Sequence, residues 1–116
     1  MAVFALGAAA VLGSAGSAAA DSIVFTNPTA AGYGTFTSNG ETVAVCDTRA
    51  DGYGVNFFLT DRVSGALLGK GKAGGKGKCE NYDFDLAEGR AVCLDVSLYK
   101  DGVIKDGSGN TGCTTA

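Results

Sequence analysis

Beyond residue 20, apolar and polar residues alternate with a period of two in short runs separated by turn dipeptides. This is the pattern of antiparallel strands with one buried face, and helical 3.6-residue spacing is nearly absent. Tyr82, Phe84 and Leu86 share one face of their run, with Asp83 and Asp85 on the other, and Val92, Leu94, Val96 and Leu98 repeat the arrangement. Reversals are readable at Asn39-Gly40, Asp51-Gly52, Ser64-Gly65, Glu88-Gly89 and Asp101-Gly102. They divide the chain into about eight strands, Ile23–Asn27, Tyr33–Ser38, Glu41–Thr48, Tyr53–Thr60, Ala66–Lys70, Tyr82–Leu86, Arg90–Tyr99 and Gly102–Lys105. One-sided strands bury their apolar face by packing two sheets together. The expected fold is all-β, a small two-layer antiparallel β-sandwich, with an immunoglobulin-like strand order as one form of it and a closed barrel as the alternative.

Within that frame Val55, Phe57 and Leu59 face inward, and Tyr33, Phe36, Phe57, Tyr82 and Phe84 read as core aromatics. Phe58 falls on the outward phase of its strand. It is expected either to be covered by a loop or to stand exposed as a binding anchor.

The first twenty residues break the alternation. They carry no charged side chain, and their apolar run ends in Ala18-Ala19-Ala20, the small-residue pattern of a signal-peptidase site. The run is shorter than the roughly 20 apolar residues that span a bilayer. Residues 1–20 are therefore read as a secretory signal peptide, although the n-region lacks the usual Lys or Arg, and residues 21–116 as one secreted domain with no membrane attachment after cleavage. Without the leader the apolar share falls from 46% to about 40%, a modest core for a small domain.

In an oxidising compartment the four cysteines, Cys46, Cys79, Cys93 and Cys113, are expected to staple that core as two disulfides. Three connectivities are open. Cys46–Cys79 with Cys93–Cys113 is favoured because the second pair closes across a predicted hairpin. Loop-closure entropy then gives roughly 3–4 kcal/mol for each bridge. The strand phases turn Cys46 and Cys93 away from the core side, so the bridges are expected to clip strands at the surface.

The net charge of −3 is too small to name a partner. Lys70, Lys72, Lys76 and Lys78 crowd into GKGKAGGKGK, read as an exposed, mobile hairpin loop that keeps the domain soluble or meets an anionic partner. It fails the Walker test, since no Gly-Lys in it is followed by Ser or Thr.

There is no histidine in the chain, which removes the commonest general base and metal ligand together with every Ser-His or Cys-His nucleophile. The cysteines lack a C-x-x-C pair for zinc. Asp47–Gly52 and Asp106–Asn110 resemble the start of a calcium loop without completing it. Neither a metal nor another cofactor is expected.

Taken together, SNGETVAVCDTRADGYGV, LAEGRAVCLDV and Cys113 resemble small secreted actinobacterial β-sandwich proteins of unknown function, in which a GE-x-x-x-V-x-D-x-x-ADG stretch precedes an EG-x-x-V strand. The resemblance covers most of residues 33–113 and brings no catalytic residue with it. The chain also has the dimensions of secreted apochromoproteins and of microbial hydrolase inhibitors, without a motif of either. The leading functional expectation is a non-catalytic, monomeric secreted module that binds an extracellular protein or polymer, rather than nucleic acid, through Phe58 or through the loops at one end. The alternative is an inhibitor of a secreted hydrolase that presents the Lys-rich loop 70–78, and an enzyme comes third.

Overall fold

The computed structural model describes residues 22–116, so the signal peptide expected at 1–20 and its cleavage site lie outside the described residues. The described chain is all-β, with β1 (Ser22–Phe25), β2 (Gly32–Thr37), β3 (Thr42–Asp47), β4 (Gly54–Asp61), β5 (Leu67–Ala73), β6 (Cys79–Asp83), β7 (Ala91–Lys100), β8 (Val103–Ile104) and β9 (Asn110–Thr115). Two antiparallel sheets form, one in the order β1-β2-β3-β6 and the other in the order β5-β4-β7, with β8 and β9 both on the far side of β7.

The core is the space between them. Val55, Phe57 and Leu59 of β4 and Phe36, Val43 and Val45 of the facing sheet are each 0% exposed. Glycine at all five predicted reversals, Gly40, Gly52, Gly65, Gly89 and Gly102, takes the left-handed backbone, with φ between 77 and 92° for all but Gly65 at 76°. The sheets remain separate rather than closing into a barrel. Side chains sew the seam between β1 and β9, where Asn110 Nδ2 donates to the Phe25 carbonyl at 3.0 Å and Asn27 Nδ2 donates to the Gly109 carbonyl at 2.9 Å.

Four expectations need correction. A ninth strand, β9, runs antiparallel to β7 from Ala91↔Thr115 to Val96↔Asn110, although its sequence NTGCTT holds no large apolar residue to signal an inward face. β8 and β9 are the two halves of one return path along β7. The excursion between them is held by buried Ser108, whose hydroxyl donates to the Lys105 carbonyl and accepts the Leu98 N–H.

The second correction concerns Lys70 and Lys72, which lie on β5 and not on a loop. In this strand glycine takes the inward phase. A Cβ at Gly69 would come within 2.1 Å of the Phe84 ring, and one at Gly71 within 2.4 Å of the Tyr82 ring. Tyr82 of β6 and Phe84, which lies just past the end of β6 because the strand expected at Tyr82–Leu86 runs instead from Cys79 to Asp83, fill the missing volume and meet Phe57 edge-on, with centroids 5.0 and 6.4 Å away. The Tyr82 hydroxyl also accepts the Lys72 N–H at 3.1 Å and donates to the Lys72 carbonyl at 2.9 Å.

Third, Tyr33 is not a core residue. It lies half-buried on the outer face of the first sheet against Phe25, with ring centroids 5.6 Å apart.

The disulfides are the favoured pair. Cys46 faces Cys79 across β3 and β6 with a Cα separation of 4.1 Å, and Cys93 faces Cys113 across β7 and β9 at 4.0 Å. Directly opposed residues of an antiparallel pair are close enough to be bridged. Each bridge clips neighbours within one sheet and neither crosses the core. The fourth correction is that Cys46 is buried, at 5% exposure, while its partner Cys79 is exposed.

Candidate functional site

Phe58 sits in the middle of the second sheet because β4 lies between β5 and β7, and strand alternation turns Phe57 into the core and Phe58 out. Its cross-strand neighbours are Lys70 and Asp95. No loop covers the ring completely. It is half-buried, and three grooves meet at it. One of about 550 Å³ runs over Asp95, Ser97, Ile104 and Thr111. Another of about 440 Å³ is bounded by Asn56, Lys70, Lys72 and Tyr82, and a third of about 170 Å³ by Asn56, Lys72, Tyr99 and Ile104. Ile104, 46% exposed, extends the apolar surface beyond Phe58. The Asp95 carboxylate accepts the Thr111 hydroxyl, which orients it along the sheet.

The four lysines separate. Lys70 and Lys72 project beside Phe58, whereas Lys76 and Lys78 belong to the connection between β5 and β6. That connection is tied down. The Gly75 N–H donates to Asp47 Oδ2 at 3.1 Å, the Gly77 N–H to the Asp47 carbonyl at 2.7 Å, and the Asp47 N–H to the Lys78 carbonyl at 2.9 Å. Asp47 is 2% exposed, and its other carboxylate oxygen accepts the Arg49 N–H at 3.0 Å. The carboxylate considered for calcium thus holds two backbone amides in place. Asp47 also borders a cleft of about 550 Å³ at this end of the sandwich, together with Arg49, Tyr53, Lys76, Tyr99 and Lys100.

That cleft was not evident from the sequence. Tyr53 and Tyr99 belong to strands that the alternation detects, and each stands next to an Asp-Gly turn. The register Gly54↔Tyr99 brings the two turns to the same end. A signal was present in the repeated placement of tyrosine beside Asp-Gly, but only strand pairing makes it a site.

The described residues include no group of three or more His, Cys, Asp or Glu residues placed to hold a metal ion. At the far end of the sandwich, the Ser64 N–H and the Arg90 side chain hold the Asp61 carboxyl below the usual value of 3.8, at about 2. This carboxylate closes a turn and lines none of the grooves at Phe58. Comparison with protein families, curated proteins and solved structures finds no match to this chain.

Proposed function

We propose that the chain is a non-catalytic secreted binding module whose contact surface is the outer face of the second sheet around Phe58, and that its partner is an extracellular protein or polymer. The observation that carries this reading is the convergence of three grooves on one half-buried phenylalanine in the middle of a sheet. Aromatic anchors flanked by polar groups are the usual centre of a contact surface. Two disulfides are consistent with an extracellular protein, and the absence of histidine from the chain favours binding over catalysis. The test is a mass-spectrometric comparison of what wild type and Phe58→Ser, both checked for folding by circular dichroism, retain from culture supernatant. A component retained by wild type and lost with Phe58→Ser is the expected result. Identical retention by both proteins overturns the reading.

A second reading, inhibition of a secreted hydrolase, is favoured by the anchoring of loop 74–78. Lys70 and Lys72 leave that reading because they lie on a strand, and Lys76 becomes the side chain offered to an acidic specificity pocket. Inhibition of a trypsin-like protease by wild type and its loss in Lys76→Gln is the expected signature, and no inhibition by wild type removes it.

A further inference from the structure

The chain carries nine Lys and Arg residues within a net charge of −3, and Arg49, Lys72, Lys76, Lys100 and Lys105 gather at the end of the sandwich where β3 runs into β4, β5 into β6 and β7 into β8. Aromatic rings accompany three of them. Lys105 Nζ lies 4.9 Å and Lys100 Nζ 5.8 Å from the Tyr53 ring centroid, and Lys72 Nζ lies 5.4 Å from that of Tyr99. Among the described residues none of the five is in an ion pair, and the pair that does form, Arg90 with Asp61, is at the opposite end. A ring face attracts an ammonium group without cancelling its charge, whereas a carboxylate would cancel it. Asp47, buried and accepting the Arg49 and Gly75 amides, and Asp101 also line the cleft, so that Arg49, Lys76 and Lys100 outnumber its carboxylates by three to two.

The cleft between these groups measures about 550 Å³, within the range of small-ligand sites, and tyrosine contributes to its wall twice. A net positive charge beside tyrosine surface suits a ligand with an anionic group on a compact ring. We propose that this cleft binds a sugar phosphate, either free or as the terminal unit of a surface polymer, with the phosphate met by Arg49, Lys76 and Lys100 and the sugar ring by Tyr53 and Tyr99. The proposal stands apart from the contact surface at Phe58 and does not depend on it.

The test is a nuclear magnetic resonance titration of the isotope-labelled secreted protein with glucose 6-phosphate, and with glucose and inorganic phosphate as separate probes. Saturable shifts are expected at the amides of Arg49, Tyr53, Gly75, Lys76 and Lys100, with affinity at least about tenfold above that for either component alone and weakening as salt is added. They should vanish in Lys76→Gln combined with Lys100→Gln, a surface change compatible with folding, and persist in Phe58→Ser. A phosphate-terminated oligosaccharide that binds more tightly than glucose 6-phosphate identifies a polymer end, and equal binding identifies the free sugar phosphate. Absence of saturation, inorganic phosphate binding as tightly as the sugar phosphate, or shifts spread equally over Arg62, Lys70 and Lys78 would overturn the proposal.

Discussion

The two ends of the sandwich use their charges differently. Where β4 runs into β5 and β6 into β7, Asp61 accepts the Val63 and Ser64 amides on one oxygen and the Arg90 guanidinium, at 2.7 Å, on the other. Nearby, Glu41 accepts the Leu86 N–H at 2.7 Å and Asp83 accepts the Thr42 hydroxyl at 2.9 Å. At the opposite end Asp47 does the same for Arg49 and Gly75, but the cations around it rest on rings or project into a cleft. The difference follows from donor and acceptor inventory. A carboxylate can accept several backbone N–H groups and so fasten a turn, whereas an ammonium group only donates, and without an acceptor it keeps its charge in solvent. The first end is closed by its charged residues, and the second displays them.

The largest effect should come from Cys46→Ala combined with Cys79→Ala, which releases the strands that lead into the cationic end. Denaturant unfolding should show a loss of about 3–4 kcal/mol, as loop-closure entropy implies. Next, Asp47→Ala should cost on the order of 2 kcal/mol, because two part-buried backbone hydrogen bonds lose their charged acceptor. Hydrogen exchange should then speed up at Gly75 and Arg49 while Val63 and Ser64 keep their protection. Equal acceleration at both ends would break the distinction between them.

The opposite end is addressed by pH. The Asp61 carboxyl is held at about 2 in the folded protein, against about 3.9 for an unperturbed aspartate. Between those values the unfolded chain binds more protons at this group, so its contribution to stability is present in full above about pH 4 and is lost as pH falls through about 2. Thermal melting of Asp61→Asn should lack that component of the acid dependence and retain the rest. The smallest effect is expected from replacing Lys70, Lys72, Lys76 and Lys78 together by Gln. Stability should stay within about 0.5 kcal/mol for each exposed site, since among the described residues none of the four is in an ion pair and only Lys72 rests on a ring, and a larger cooperative loss on melting would show that their charges fasten the fold.

Much of the sandwich was legible because its central strands obey the alternation. Val55, Phe57 and Leu59, and Val92 to Leu98, were readable from period alone, as were the five glycine reversals and the outward phase of Phe58. The expected strand stops short of the end of β5 because its inward residues there are Gly69 and Gly71, and a hydrophobic pattern does not register a face whose apolar volume is supplied from elsewhere in the chain, by Tyr82 and Phe84. β9 escaped for a related reason, as the backbone ladder and the Cys93–Cys113 bridge join it to β7 without a large apolar side chain. The Phe58 surface needed only one strand's phase. The cleft at Tyr53 and Tyr99 needed the register of β4 on β7 and the course of the β5–β6 connection, which are long-range facts that local spacing does not contain.

The hydroxyl of Tyr82 has a consequence for how copies of this protein meet. An outer strand such as β5 presents peptide groups on which a strand from another molecule could build, extending the sheet from copy to copy. At Lys72 both the donor and the acceptor of the peptide edge are already engaged by that single hydroxyl. An incoming strand would have to displace the phenol, and the ring that carries it is wedged over Gly71 against Phe57. The same tyrosine that completes the interior of one molecule therefore caps the place where a second could have joined it.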